Sequence, residues 1–153
     1  MLFTDRRRAL YEMHRTLKRG GHLAVAAWAS LDSSPAYAAE VALVERLAGK
    51  RAADALRAPF VLGDPKELAQ LVANAGVVDA TITTQPGVAR FPSIRFMIEA
   101  DLRGWLPLMG VVLTEDQIDR ILQEAERVLG AHATAAGTTS FELAAHLVSG
   151  TKP

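Results

Sequence analysis

The most continuous apolar stretch near the start of the chain is Leu23 to Ala29, seven residues without a polar side chain. A half-exposed strand alternates apolar and polar residues, whereas a strand buried on both faces does not. Residues 22–29 are therefore predicted to form a strand in the middle of a sheet. A helical pattern precedes this strand, and Gly20 and Gly21 form the turn between the two.

Apolar residues at spacings of three and four predict helices over much of the remaining chain. Two of these helices have clear start signals. Asp64 is followed by Pro65, and Thr114 stands three residues before Gln117. Ser34 is a further candidate N-cap, for a helix that stops near Gly49.

A helical insertion is predicted near residues 93–129. Its first part, between Pro92 and Gly110, is rich in apolar and aromatic residues, and Gly104 and Pro107 are expected to break it into one helix and an ordered turn. This is the part of the chain most suited to lining a pocket.

Two further stretches have the pattern of strands. Residues 78–84 alternate apolar and polar side chains, which predicts a strand towards a sheet edge. Residues 140–149 are predicted to form one last strand, with Phe141, Leu143, Ala145 and Leu147 on one face. The order of elements predicts a single α/β domain over residues 1–153, in which helices serve as crossovers.

Composition narrows the classes of function. With 153 residues, of which 50% are hydrophobic, the chain has enough material for one core. Seventeen basic residues balance seventeen acidic ones, so the overall charge favours neither nucleic acid nor an anionic membrane as a partner. The absence of cysteine excludes disulfides and thiolate zinc sites, and it fits a cytoplasmic setting. No histidines and carboxylates have metal-ligand spacing, and no apolar run approaches the roughly 20 residues of a membrane span.

The segment from Phe3 to Gly21 resembles the stretch before the fifth strand of class I S-adenosylmethionine-dependent methyltransferases. In that family a helix ending in Leu-Lys-Pro-Gly-Gly leads into an apolar strand, and here the corresponding residues are Leu-Lys-Arg-Gly-Gly, with Arg19 in place of proline. The resemblance continues through residues 22–28 as strand five, 64–84 as helix and strand six, and 141–153 as strand seven. The most similar subgroup is that of the ubiquinone/menaquinone-type small-molecule methyltransferases.

The resemblance implies an incomplete Rossmann-like sheet in which the strand at 22–29 lies beside the last strand. It also implies S-adenosylmethionine as cofactor and a small molecule as methyl acceptor. The family binds its cofactor with a glycine-rich loop after strand one and an acidic residue after strand two. The adjacent glycines of this chain, Gly20 and Gly21, instead follow a helix and precede a strand, which is the reverse order. The chain therefore resembles the C-terminal half of such an enzyme, and we expect it not to bind the cofactor alone.

Loss of the first half would leave one edge of the strand at 22–29 without a neighbour. An apolar edge that lacks lysine, proline or a bulge tends to associate with another strand. We therefore expect either a homo-oligomer formed through this edge or a separate N-terminal half as partner. Three interpretations stay open: a methyltransferase polypeptide, a non-catalytic oligomeric α/β interaction domain derived from one, and a fragment whose missing part lies upstream.

Ligands of open α/β sheets bind at the carboxyl ends of strands, where Trp28 and the following loop lie. Aromatic and polar residues of the helical insertion could line the same cavity, although packing in the core is an alternative for Trp28, Phe96 and Trp105. His22 and His146 are expected to be structural. The candidate substrate-pocket residues are Trp28, Ser30, Asp32, Tyr37, Arg95, Phe96 and Trp105.

Overall fold

The computed structural model describes residues 3–77 and 79–153, which form mixed α/β structure with two small antiparallel sheets. The α-helices are α1 (Arg6–Thr16), α2 (Pro35–Ala48), α3 (Lys50–Arg57), α4 (Pro65–Asn74), α5 (Ile94–Ala100), α6 (Leu106–Leu108) and α7 (Glu115–Val128). The strands are β1 (His22–Trp28), β2 (Thr81–Gln85), β3 (Val88–Phe91), β4 (Thr139–Glu142) and β5 (Ala145–Thr151).

These elements divide into two compact units. The first contains the described residues of Met1–Ser30, Pro59–Gly87 and Ala144–Pro153, and the second contains Leu31–Ala58 and Val88–Leu143. The prediction of one domain over the whole chain stays a prediction.

The sheet of the first unit has the strand order β1-β5-β2. The last strand, β5, is antiparallel to both neighbours, so β1 and β2 run in the same direction on either side of it. In the register, Val25 lies opposite Val148, and Ile82 lies opposite the same residue from the other side. The expected neighbourhood of the strand at 22–29 and the last strand is confirmed by this pairing.

Local sequence signals explain where several helices begin. Asp64 caps α4, and its carboxylate accepts hydrogen bonds from the backbone N–H groups of Lys66 and Glu67 at 2.7 and 3.4 Å. Thr114 and Gln117 form the predicted capping box of α7, with reciprocal side-chain to backbone hydrogen bonds. Each cap satisfies N–H groups that the first turn of a helix leaves without a partner.

One face of the β1-β5-β2 sheet is covered by α1 and α4. Leu23 of β1 and Val148 of β5 are buried there, together with Leu10, Leu68, Val72, Ala75 and Val77. The other face is exposed, and it presents Ala24, Ala26 and Trp28 of β1 beside Leu147 of β5. The prediction of a strand buried on both faces is therefore wrong. Most of the outward positions in this apolar run are alanine, which is itself apolar. The alternation of covered and uncovered side chains therefore does not show as an alternation of apolar and polar residues.

The predicted single strand over 140–149 is also wrong. Leu143 and Ala144 separate β4, which pairs with β3 in the second unit, from β5, which pairs with β1 and β2 in the first. The predicted common face does not exist either, because Leu147 is exposed while its neighbours His146 and Val148 are buried. Because β4 and β5 belong to different sheets, their side chains need not alternate about one common face.

The strand predicted at 78–84 begins and ends later than expected. It runs over Thr81–Gln85, is exposed along most of its length, and forms the edge of its sheet. Val78, the first residue of the predicted strand, lies outside the described residues. The following strand β3 was not predicted at all.

The second unit is mainly helical. Its core is formed by α2, α3, α5 and α7, with Val44, Ile98, Leu106 and Ile121 among its fully buried residues. The small β3-β4 sheet adds Phe141 to this core. A helical insertion over residues 93–129 is confirmed by α5, α6 and α7.

The predicted break at Gly104 and Pro107 is wrong. Helical backbone continues from α5 through a π-helical turn over Asp101–Trp105 into α6. Pro107 is the second residue of α6, which follows directly on the π-helical turn. None of the helices within the described ranges has the length and apolar character that crossing a membrane requires.

Candidate functional site

A cleft in the first unit lies beside the carboxyl-terminal part of β1. It has a volume of about 400 Å³ and is lined by Phe3, Ala26, Ala27, Trp28, Pro59, Leu62 and Ala145. The lining side chains are all apolar. Small-molecule sites of this size are typically lined by hydrophobic and aromatic side chains, with a few polar groups that fix orientation.

Trp28 lies in this cleft, as one of its predicted roles requires. Trp28 is 40% exposed, and whether it serves as a pocket residue or as a packing residue stays a prediction. Ser30 follows in the loop after β1, where the backbone of Gly63 packs closely against it. A Cβ atom on Gly63 would lie 2.4 Å from the Cα atom of Ser30, so only glycine fits at this contact.

His146 connects this loop to the sheet. Its Nε2 lies 2.9 Å from the carbonyl oxygen of Gly63, and its Nδ1 lies 2.9 Å from the hydroxyl of Thr84. A carbonyl can only accept, so Nε2 carries the proton, and in the neutral ring Nδ1 accepts from the Thr84 hydroxyl. Both ring nitrogens of the buried imidazole therefore serve structural hydrogen bonds, which agrees with the structural role predicted for it.

His22 has a similar role at the other end of the sheet. Its Nδ1 lies 3.0 Å from the hydroxyl of Thr151, directly across the β1-β5 ladder.

The second unit contains a buried carboxyl group that sequence patterns did not indicate. Glu40 of α2 is fully buried, and its carboxyl group lies within hydrogen-bonding reach of that of Asp101. Burial in an apolar core, and next the negative charge of Asp101, raise the pKa of Glu40 well above its usual range. Burial therefore favours the protonated form of Glu40.

Asp101 is the charged neighbour of Glu40. It is half-buried and begins the π-helical turn, a distortion that is often found at functional sites. Burial raises the pKa of Asp101 to about 6. Burial therefore favours the neutral form of both carboxyl groups of this pair.

Tyr37 lies one helical turn before Glu40 and interacts with the same two carboxyl groups. Burial first, and then the charges of Asp101 and Glu40, raise the pKa of its hydroxyl. Its ring meets that of Phe141 edge-on, with centroids 5.3 Å apart. Phe141 also contacts the rings of Phe91 and His132, so Tyr37 belongs to an aromatic cluster beside the carboxyl pair.

The other predicted pocket residues of the second unit lie in different settings. Asp32 is exposed in a 3-10 turn over Leu31–Ser33. Arg95 is exposed and pairs with Glu99 at 3.3 Å, and Phe96 is 54% exposed on the same helix. Neither Arg95 nor Phe96 is part of the core.

Trp105 is packed against the core of the second unit. Its indole N–H donates a hydrogen bond of 2.8 Å to the backbone carbonyl of Ala55, which fixes the π-helical turn against α3. This position fits the packing alternative that the sequence left open.

The pair of Glu40 and Asp101 is the feature that sequence reasoning missed. One signal was available, because Glu40 is the single charged residue between Ala36 and Val44, on a helix that is otherwise apolar there. A charge in such a run is buried whenever the helix is surrounded by other elements.

No group of three or more histidine, cysteine or acidic side chains suited to a metal ion occurs in the ranges 3–77 and 79–153. Comparison of the chain with protein-family models and with curated proteins finds no match.

Proposed function

We propose that this chain is a methyltransferase-type polypeptide that supplies the acceptor side of an S-adenosylmethionine-dependent enzyme acting on a small molecule. The observation that carries the proposal is the strand order β1-β5-β2. The family resemblance implies that the last strand lies beside the strand that follows Gly20 and Gly21, and these two strands pair over their full length.

The connection before β1 also supports this assignment. The helix α1 ends before a turn in which Gly20 has a φ angle of +72°, and β1 begins at once afterwards. Glycine adopts this left-handed conformation at little cost, and a Cβ atom on Gly21 would lie 2.8 Å from the carbonyl oxygen of Lys18, so the backbone favours glycine at both positions.

The described residues do not fit the cofactor by themselves. A cofactor cradle needs a strand that leads through a glycine-rich turn into a helix. The helix that follows β1 is reached through Ser30 to Ser34 without glycine, and the one that follows β3 is reached through Pro92 and Ser93. The cofactor would have to be held by residues outside this chain, and we derive no step of the reaction through it.

The acceptor side of the proposed enzyme is the helical unit. A general base works best when its pKa lies near the operating pH, and the pKa of Asp101, about 6, meets this condition.

A second candidate function is a non-catalytic interaction domain. The specific observation in its favour is the open edge of β1, which in the part of the chain that the structure describes pairs with β5 alone. An unpaired strand edge can recruit another chain without any catalytic group.

The nucleotide sequence directly upstream of the Met1 codon separates the two functions. The methyltransferase proposal expects an in-frame sequence that encodes a strand followed by Gly-x-Gly-x-Gly and a helix. An in-frame stop codon directly upstream, together with the absence of a separate polypeptide that supplies this half, would overturn it and leave the interaction domain.

A further inference from the structure

Among the described residues, the outer edge of β1 carries a defined set of backbone groups that pair with no other strand. Ala29 N–H donates to the Ala144 carbonyl at 3.0 Å, and Lys152 N–H donates to the Gly21 carbonyl at 2.9 Å. In an antiparallel ladder, hydrogen-bonded pairs alternate with non-hydrogen-bonded pairs. The odd-numbered residues of β1 therefore bond to β5. The even-numbered residues, His22, Ala24, Ala26 and Trp28, direct their N–H and C=O groups away from it.

This edge carries none of the features that keep natural sheet edges apart. Such edges are protected by lysine, proline, bulges or inward-pointing charges. The strand His22–Trp28 contains no charged residue and no proline, and its pairing with β5 is continuous over all seven residues. The chain carries no net charge, since seventeen basic residues balance seventeen acidic ones.

We propose that two copies of the 153-residue chain pair through β1 in an antiparallel two-fold arrangement centred on Val25. Only residues with outward backbone groups can face each other as hydrogen-bonded pairs. A centre at Val25 places Ala24 opposite Ala26 of the second copy and His22 opposite Trp28. A centre at Ala24 or Ala26 would leave one end of the strand unpaired, so the Val25 register is the one that satisfies all four outward residues.

The arrangement is closed and self-limiting. A two-fold interface uses the same surface on both copies, so the two β1 edges satisfy each other and leave none for a third chain. The product is a six-stranded sheet with the order β2-β5-β1 in one copy and β1-β5-β2 in the other. At its centre the exposed face carries the small side chains of Ala24 and Ala26, which can approach without a clash.

This proposal does not depend on methyl transfer. In a protein that also contained the first half of a methyltransferase fold, a strand of that half would occupy the same edge. The inference therefore concerns the 153-residue chain by itself, and the two proposals fail in different experiments.

Cysteine crosslinking tests the register, because the natural chain has no cysteine. In Val25→Cys the two sulfurs face each other as a non-hydrogen-bonded pair, whose Cβ atoms lie at the short end of the range of about 4.5–5.5 Å, near the upper limit of about 4.5 Å for a disulfide, and we expect a disulfide-linked dimer under mild oxidation. Ala27→Cys is the matched control. In the proposed register its two copies are offset by four residues, roughly 13 Å along the strands, so it should stay unlinked. Equal or preferential crosslinking of Ala27→Cys would overturn the register.

Light scattering on the natural chain and on two proline variants tests whether the chain dimerises through this edge. The natural chain, of 16.4 kDa, should have twice that mass at micromolar concentration. Ala26→Pro removes an outward N–H that β5 does not use, so it should give a folded monomer, whereas Ala27→Pro removes a ladder bond to β5 and should impair folding. The proposal would be overturned if the natural chain is monomeric, even if that monomer binds a different protein. So would an Ala26→Pro variant that remains dimeric.

Discussion

The Nε2 atom of His146 lies 2.9 Å from the carbonyl oxygen of Gly63 and holds the loop before α4 against β5. Replacing the buried imidazole by phenylalanine would leave that carbonyl and the Thr84 hydroxyl without their partner. Each buried group left unsatisfied costs about 1–3 kcal/mol. We expect His146→Phe to lower the free energy of unfolding by at least about 2 kcal/mol in urea titrations.

Thr84→Val is the matched control for His146, because it removes only one of the two hydrogen bonds. Its cost should be smaller, about 0.5–1.5 kcal/mol. A Thr84→Val variant that loses as much stability as His146→Phe would show that the bond to Gly63 contributes nothing.

Gly63 itself offers a second prediction about the same loop. An added methyl group would lie 2.4 Å from the Cα atom of Ser30, so the backbone must move. Gly63→Ala is expected to cost about 1–3 kcal/mol, the range for overpacking. The thermal melting temperature measures the effect, and Gly104→Ala serves as control because an added Cβ there has no atom within 4 Å. Loss of stability at Gly104 but not at Gly63 would contradict this packing.

Glu40 is predicted to be neutral at pH 7, so a neutral side chain of the same shape should replace it at little cost. Glu40→Gln is expected to change the free energy of unfolding by less than about 1 kcal/mol, because it neither buries a new charge nor opens a cavity. Glu40→Ala should cost roughly 2 kcal/mol or more, as removal of buried side-chain volume usually does. Equal losses in the two variants would contradict the neutral state of Glu40.

The raised pKa of Asp101 predicts that the free energy of unfolding depends on pH. Its folded-state pKa of about 6 is higher than the value of 3.8 for an unperturbed group, so the folded state binds more protons between these values. Its contribution to stability is therefore fully present below pH 3.8 and is lost as pH rises towards 6.

The Asp101→Asn variant cannot ionise at this position, so it should not lose stability in this way as pH rises. The variant should be more stable than the natural chain at pH 7.5, by about 1–3 kcal/mol at roughly 1.4 kcal/mol per pKa unit, and should differ little from it at pH 4. Chemical denaturation at the two pH values measures the difference. A constant difference across the range would mean that Asp101 has an ordinary pKa.

The features that the sequence predicted well depend on neighbouring residues. Asp64 and Thr114 begin their helices because side chain and backbone lie within a few residues of each other. The strand after Gly20 and Gly21 was located to within one residue for the same reason. Its pairing with β5 was predicted from the family resemblance rather than from the apolar pattern.

The features that were missed depend on distant partners. The division between β4 and β5 at Leu143 and Ala144 is set by the sheets that each strand joins, and neither residue has a turn-forming side chain. The outward face of β1 was hidden because alanine suits both covered and uncovered positions. The interaction of Glu40 with Asp101 joins α2 to a turn some sixty residues later, which no local pattern contains.

The most direct test of the proposed function is a calorimetric titration with S-adenosylhomocysteine, the product of methyl transfer. It compares the 153-residue chain with a protein in which the in-frame upstream sequence is joined to it. We predict flat heats from the chain alone, because its described turns lack a cofactor cradle, and saturable micromolar binding by the joined protein. Flat heats from a joined protein that is folded would contradict the assignment to a methyltransferase.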